Sequence, residues 1–203
     1  MIASMWSGGK DSCLALYKTL KSGLIVKKLV SMLRDNRNAH GYGREVLEKQ
    51  ADCLGIDIVF GDMEKYEESL KEIVEEFGIE SIVYGDIYLS EHRYWIEEVC
   101  RRLKVDPIFP LWGRDTEEVA KEFISEGFEA YIVAVKKVYY KILCRKYNLD
   151  LLREIKEMGI DPCGENGEFH TVVSYGPIFK KRLNFRFEKI LEYGDSYIVK
   201  LEV

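Results

Sequence analysis

The chain has 203 residues, 47% hydrophobic and 32% charged, with a formal net charge of −5. That balance describes a folded chain with one sizeable core, or one domain plus a smaller appendage, and excludes a disordered one. A negative chain is not expected to bind nucleic acid generally, and no stretch approaches the ~18–20 apolar residues of a membrane span. The five cysteines, Cys13, Cys53, Cys100, Cys144 and Cys163, include no C-x-x-C pair. They fit neither a disulfide framework nor a zinc site, so reduced thiols in a cytoplasmic protein are expected. Lys10 and Asp11 interrupt the opening apolar run at once, so no signal peptide is expected.

The run Ile2 to Trp6 reads as a buried strand, and the apolar spacing after Ser12 as a helix reaching Ser22. Ile25 to Leu33 is the second strand, and the polar, glycine-containing stretch Arg34 to Gly43 a loop at its carboxyl end. A helix over 42–54 precedes a third strand, Ile56 to Phe60, and an amphipathic helix follows over Tyr66 to Phe77. Ser81 to Tyr84 is a short strand, Ser90 to Leu103 a helix, and Pro107 to Trp112 a proline-flanked extended segment. Thr116 is expected to cap a helix reaching Ser125, and Phe128 to Val135 reads as the next strand. This alternation predicts an α/β fold with a doubly wound parallel sheet.

The rhythm then changes. Lys136 to Lys146 is basic and aromatic, a helix is expected over Asp150 to Met158, and the last thirty residues alternate as an antiparallel hairpin turning at Gly194-Asp195. A domain boundary is therefore expected near Val135–Val138, giving a doubly wound unit over 1–136 and a small C-terminal α+β unit over 137–203.

Two stretches carry the chemistry. The first is Ser7-Gly8-Gly9-Lys10-Asp11-Ser12, at the first strand–helix junction. Its glycines let backbone N–H groups approach a ligand, and the helix start favours an anion such as phosphate. It is not a Walker loop, because Gly9-Lys10 is followed by Asp11. Lys10 can neutralise phosphate or point into water; Asp11 can act on the ligand or satisfy the helix start. Ligands of open α/β sheets bind outside the carboxyl ends of the strands, where Gly85-Asp86 also emerges. Asp86 can hold Mg²⁺ there with Asp11, or form an ordinary turn. His92 and Arg93 can reach the same cleft, and His40 lies in the polar loop after strand two.

The second stretch is Gly164-Glu165-Asn166-Gly167-Glu168-Phe169-His170-Thr171. Three readings stay open for it: a metal site, a substrate-binding loop, and a turn entering a strand.

The hexapeptide Ser7 to Ser12 matches the S-G-G-x-D-S signature of the PP-loop ATP pyrophosphatases. With the second stretch beside it, the chain resembles the diphthine–ammonia ligase family within that group. Gly85-Asp86-Ile87, Val99 to Leu103, Pro110-Leu111-Trp112, Gly127 to Ala130, Asp161 to Glu168 and Gly176 to Phe179 carry the likeness along nearly the whole chain. The resemblance implies a Rossmann-like, adenine nucleotide alpha-hydrolase-like fold. It also implies ATP-dependent amide synthesis, in which diphthine on translation elongation factor 2 is adenylated and ammonia displaces AMP to leave diphthamide. Carried over, Ser7, Gly8, Gly9, Lys10, Asp11, Ser12 and Gly85 would bind ATP, with Lys10, Asp11 and Asp86 catalytic and Mg²⁺ on Asp11 and Asp86. Glu165, Asn166, Gly167, Glu168, His170 and Thr171 would line the acceptor site with His92 and Arg93. Diphthine's trimethylammonium group suits carboxylates and a ring such as Phe169. Two departures stand out: Asn166 and His170 replace a further glycine and acidic residue of many diphthamide-forming members, and Lys136 to Lys146 is unusually basic. The rival readings are a PP-loop pyrophosphatase acting on another carboxylate or on RNA, and an ATP sensor without turnover. No glutaminase-like nucleophile arrangement is present, so ammonium would be free or delivered by another protein.

Overall fold

A computed structural model describes residues 1–38, 41 and 43–203. The candidate His40 and the expected helix start at Tyr42 lie outside the described residues. Five parallel strands form the first sheet: β1 (Ile2–Met5), β2 (Val26–Leu33), β3 (Asp57–Asp62), β4 (Ser81–Val83) and β5 (Asp106–Ile108), in the order β3-β2-β1-β4-β5. The chain winds outward from β1 to β3, then returns to the other side of β1 with β4. The order therefore reverses between β1 and β4, and the crevice outside their carboxyl ends is where such a sheet holds a ligand.

Helices α1 (Lys10–Lys21) and α2 (Arg44–Leu54) pack on one face of this sheet, and α3 (Tyr66–Phe77) and α4 (Ser90–Leu103) on the other. Leu70, Ile73, Ile96 and Val99 meet Ala3, Val30 and Ile82 in one apolar cluster. Leu14, Leu47 and Leu54 belong to a larger cluster that runs on through Val133, Phe169 and Val172.

That larger cluster leads into a second, antiparallel sheet, β7-β6-β9-β8, built from β6 (Glu129–Lys136), β7 (Phe169–Tyr175), β8 (Arg186–Tyr193) and β9 (Ser196–Glu202). The hairpin expected at the end of the chain is β8–β9. The strand expected at Phe128–Val135 forms, but it pairs with β7 and β9 rather than joining the parallel sheet. Its continuous apolar run reflects burial between two neighbours, which reads the same in a central strand of either kind of sheet. The expected division at 136/137 thus falls at the end of β6, inside the second sheet. Helices α5 (Thr116–Ser125) and α6 (Leu149–Glu157) flank the two sheets. Asp115, not Thr116, caps α5 by accepting the Glu118 N–H at 3.0 Å, while the Thr116 hydroxyl donates to Asp161 at 2.8 Å. The basic segment forms a 3₁₀ turn over Lys137–Ile142. No helix among the described residues is long and apolar enough to cross a membrane.

One buried amide fastens the two sheets together. Gln50 sits on the apolar stripe of α2 beside Val46, Leu47, Ala51 and Leu54, with 0% of its surface exposed. It accepts the Trp6 indole N–H at 3.2 Å and donates to the carbonyls of Gly8 (3.0 Å) and Val173 (2.8 Å). Replacing Gln50 by Leu leaves those buried groups short of partners. The expected loss is ~2–4 kcal/mol of unfolding free energy by urea denaturation, well beyond that of an exposed α2 substitution such as Glu48→Leu.

Candidate active site

The glycine-rich corner between β1 and α1 is closed by its own hydroxyls. Ser7 Oγ and Ser12 Oγ lie 2.9 Å apart, the Gly9 N–H reaches Ser7 Oγ at 3.3 Å, and Ser12 Oγ donates to the Gly9 carbonyl at 3.1 Å. Gly8 has φ 77°, a left-handed turn that a side chain would strain. Gly85, arriving from β4, passes so close that a Cβ on it would sit 2.8 Å from the Ser12 backbone nitrogen and 2.9 Å from the Asp11 carbonyl carbon. Gly9, the residue before α1, has no side chain to cap the helix, and the positive end of the helix lies at this corner.

Lys10 is held inward. Only 3% exposed, its ammonium donates to Asp11 at 2.7 Å and to the Cys163 carbonyl. It also lies 5.3 Å from the centre of the Phe169 ring and 5.9 Å from that of Tyr147. Burial alone would strip its proton, but Asp11, Cys163 and Glu165 outweigh that and hold the pKa above the usual lysine range. The backbone N–H of Lys10 donates to Thr171 Oγ1 at 3.0 Å, and the Gly8 carbonyl accepts from Val173 N–H at 3.0 Å. The phosphate-type corner is therefore sewn to β7. Phe169 lies beneath Lys10 and is fully buried, so the face of its ring turned toward this corner already holds an internal cation.

A cleft of about 410 Å³ opens from this corner. Val30, Met32 and Met63 line one part of it, while Asp11, Asp86 and Glu165 converge at the corner. Asp11 Oδ1 is buried with no hydrogen-bond partner. Burial foremost, with Asp11, Asp86 and Asp161 adding to it and Lys10 opposing, pushes the Glu165 carboxyl up to about 8. His92 hydrogen-bonds Asp86, which raises its pKa against the effect of burial, and stacks on Trp95 with ring centres 5.7 Å apart. Trp95 in turn meets Tyr66, and both line the cleft with Tyr84. Arg93 does not line it: its guanidinium pairs with Glu97 and lies over Phe109 and Trp112.

The run from Glu165 to Thr171 is divided by the fold. Only Glu165 lines the cleft. Glu168 is turned inward and accepts from the Asn166 backbone at 3.0 Å, bracing the loop. Asn166 receives the Tyr88 hydroxyl at 3.2 Å. Gly167 takes φ 75° in the turn. Thr171 holds the start of α1, and His170 faces a different cavity, where burial and Lys10 push its pKa down to about 4. The run does lead into a strand, β7. Among the described residues, no group of three or more His, Cys, Asp or Glu side chains is placed to hold a metal ion.

Asp161, Asn38, Gln50 and the aromatic wall of the cleft were not singled out from the sequence. Asp161 accepts the N–H groups of Cys163 (2.9 Å) and Glu165 (3.2 Å), Asn38 donates to the Ser7 carbonyl at 2.7 Å, and Gln50 clamps the corner as described. Gln50 had a signal: one polar position at 50 inside the 46/47/51/54 apolar stripe. The aromatic wall of Tyr66, Tyr84 and Trp95 had none, since each reads as ordinary helix or strand core.

The description "Diphthamide synthase N-terminal domain" matches residues 1–107, and "Diphthamide synthase C-terminal domain" matches residues 115–200. The chain belongs to the diphthamide synthase family. Proteins named diphthine–ammonia ligase resemble it along most of its length. The rat protein is 26% identical, with 90% of this chain and 81% of that protein covered, and the human protein gives the same figures. The fission-yeast (Schizosaccharomyces pombe) protein is 25% identical over the whole of this chain, which spans 39% of that protein. A solved structure from Methanocaldococcus jannaschii, described as a predicted subunit of tRNA methyltransferase, aligns with a TM-score of 0.45 at 18% identity, covering 89% of this chain and 98% of that one. The diphthamide synthase relatives support a role in diphthamide synthesis at family level and an ATP-dependent ligase activity.

Two outcomes follow from the geometry of this diphthamide synthase corner. Gly85→Ala forces backbone apart at the start of α1, so nucleotide affinity measured by calorimetry is expected to fall at least tenfold, with a lower melting temperature. Glu165 keeps a proton in the folded chain that the unfolded chain releases above about pH 4.5, so its contribution to stability falls as pH rises from there through about 8. Urea midpoints from about pH 5 to about pH 9 should therefore show Glu165→Gln gaining steadily on the wild type up to about pH 8 and no further.

Proposed function

We propose that this chain is an ATP-dependent amide ligase that adenylates the carboxylate of diphthine on translation elongation factor 2 and transfers it to ammonia. The observation that carries the reading is the convergence of Asp11, with its unpartnered Oδ1, on Asp86 and Glu165 beside the N-terminal end of α1. Anion-binding backbone and a cluster of carboxylates repel one another's natural ligands unless the ligand is a polyphosphate carrying a cation.

Mg²⁺ would suit that role. Asp11 and Asp86 would hold the ion, and hard carboxylate oxygens suit it, phosphate oxygens and water supplying the rest. When bound, it offsets charge on the triphosphate. The chain's own groups do the remaining work. Ser7, Gly8, Gly9, Ser12 and Gly85 shape the corner so that its N–H groups grip the β,γ-phosphates. Lys10 braces the corner against β7 and keeps a positive charge behind it. Val30, Met32 and Met63 offer an apolar seat for the base. A carboxylate oxygen of the acceptor attacks the α-phosphorus, the bond to the β-phosphate oxygen breaks, and pyrophosphate leaves. The ammonia lone pair then attacks the acyl carbon, the bond to AMP breaks, and a proton is lost to water.

The test uses labelled ATP, Mg²⁺ and ammonium with and without elongation factor 2 carrying diphthine. Acceptor-dependent AMP and a mass change of one amide on the factor are expected. Asp86→Asn should lower the rate at least a hundredfold while the chain stays folded. AMP without a change on the factor would mean another acceptor, and ATP bound without AMP would favour the sensor reading.

A further inference from the structure

Asn166 is exposed, yet each of its polar groups has a partner, and the partners come from different parts of the chain. Its backbone N–H and its side-chain amide nitrogen donate to the Glu168 carboxylate at 3.0 and 3.2 Å. Its backbone carbonyl accepts from Lys136 Nζ at 3.0 Å, at the end of β6. Its side-chain carbonyl accepts the Tyr88 hydroxyl at 3.2 Å, from the loop that leaves β4. A glycine at this position would lose both side-chain bonds.

The bond to Tyr88 crosses the mouth of the nucleotide cleft. Leu89 and Glu165 line that cleft, and Tyr88 and Asn166 are the residues next to them in sequence, set on its solvent side. The bond therefore joins the two walls at their rim, beside the carboxyls of Asp86 and Glu165. No other hydrogen bond joins these two loops among the described residues. Its two ends differ. Asn166 is fixed by Lys136 and by Glu168, itself turned inward and buried. Opposite, the backbone is pinned one residue before Tyr88, where the fully buried Ile87 accepts the Gly113 N–H at 2.7 Å. Beyond that pin the Tyr88 ring, 37% exposed, can swing away about its own side-chain bonds while the backbone stays in place.

Resting on the ligase reading, in which nucleotide enters this cleft and pyrophosphate leaves it, we propose that Tyr88 and Asn166 form a latch that gates its mouth. Asn166 is the fixed catch and Tyr88 the moving part. With the latch shut, the loop after β4 and the loop before β7 close over the phosphate-type corner; with it open, ligands pass in either direction. A shut mouth keeps bulk water from an activated acyl group that it would hydrolyse. A single exposed hydrogen bond is weak enough to open in every turnover, since its net worth changes the open fraction only about two- to tenfold.

Stopped-flow fluorescence separates entry from exit in the full-length protein, with MgATP carrying an N-methylanthraniloyl group on its ribose as the probe. Tyr88→Phe and Asn166→Ala each remove one end of the latch at an exposed position. Each is expected to raise the association and dissociation rate constants together, by about two- to tenfold, and to leave their ratio nearly unchanged. The double variant should be no faster than the faster single one, because both substitutions break the same bond. Damage to the binding site would speed dissociation alone, so a rise in dissociation without a rise in association would overturn the latch. Unchanged rates in both variants, or effects that multiply in the double variant, would do the same. The two readings fail separately. A wild-type chain that binds no MgATP removes the ligase and the latch with it, whereas acceptor-dependent AMP with unchanged rates in the variants leaves the ligase and removes the latch.

Discussion

The buried ammonium of Lys10 is the contact on which the rest of the site depends. It sits where β1, α1 and the loop before β7 meet, neutralised by Asp11, capped by the Cys163 carbonyl and faced by two aromatic rings. A buried charge is tolerated only when its partners are complete, and removing any one of them leaves the others costly. The corner and the loop Asp161–Thr171 therefore rise and fall together. Backbone contacts add to this: Thr171 receives the Lys10 N–H, and Val173 donates to Gly8. Residues 169, 171 and 173 of β7, two apart as a strand requires, all meet the same corner; His170 between them lines the other cavity, which Phe169 also reaches.

That alternation explains why a run of polar residues does several jobs. Glu165 precedes the strand and reaches the cleft. Glu168 is consumed by the loop's own N–H groups, and Thr171 by the start of α1. A run that is polar or glycine at every position but Phe169 looks like one binding surface in a sequence, but a tight turn followed by a strand distributes it over a cleft, a brace and a second cavity. The composition was informative about importance and silent about direction.

The parallel sheet and its helices were legible because their signals are local: apolar runs of strand length, helical stripes, and glycines ending α2 and α3 at φ 70° and 60°. The corner was legible for the same reason, since Ser7 to Ser12 is contiguous. What escaped was pairing. β6 carries the same continuous apolar pattern as a parallel strand, and its partners lie more than thirty residues away in the chain. Nothing local in the sequence links Lys10 to Phe169, which meet across 159 positions. Arg93 was placed in the cleft by proximity to His92, yet adjacent residues on a helix point about 100° apart, and its neighbours proved to be Phe109 and Trp112.

The charge distribution gives the clearest physical argument about how the two halves of the site cooperate. Acidic groups gather in the cleft, where Asp11, Asp86 and a Glu165 that keeps its proton up to about pH 8 face a helix start, and guanidiniums gather at the end of β2, where Arg34 and Arg37 face the neighbouring cavity. A free carboxylate would be repelled from the first place and held in the second. A polyphosphate with its counter-ion neutralises the first. On the proposed ligase reading, an acceptor carboxylate entering the cleft would meet Asp11 and Asp86, whose charge is offset only when nucleotide and counter-ion are already in place. On that reading nucleotide would bind before acceptor without any moving part, because the penalty for the reverse order is electrostatic and is removed by the first ligand itself.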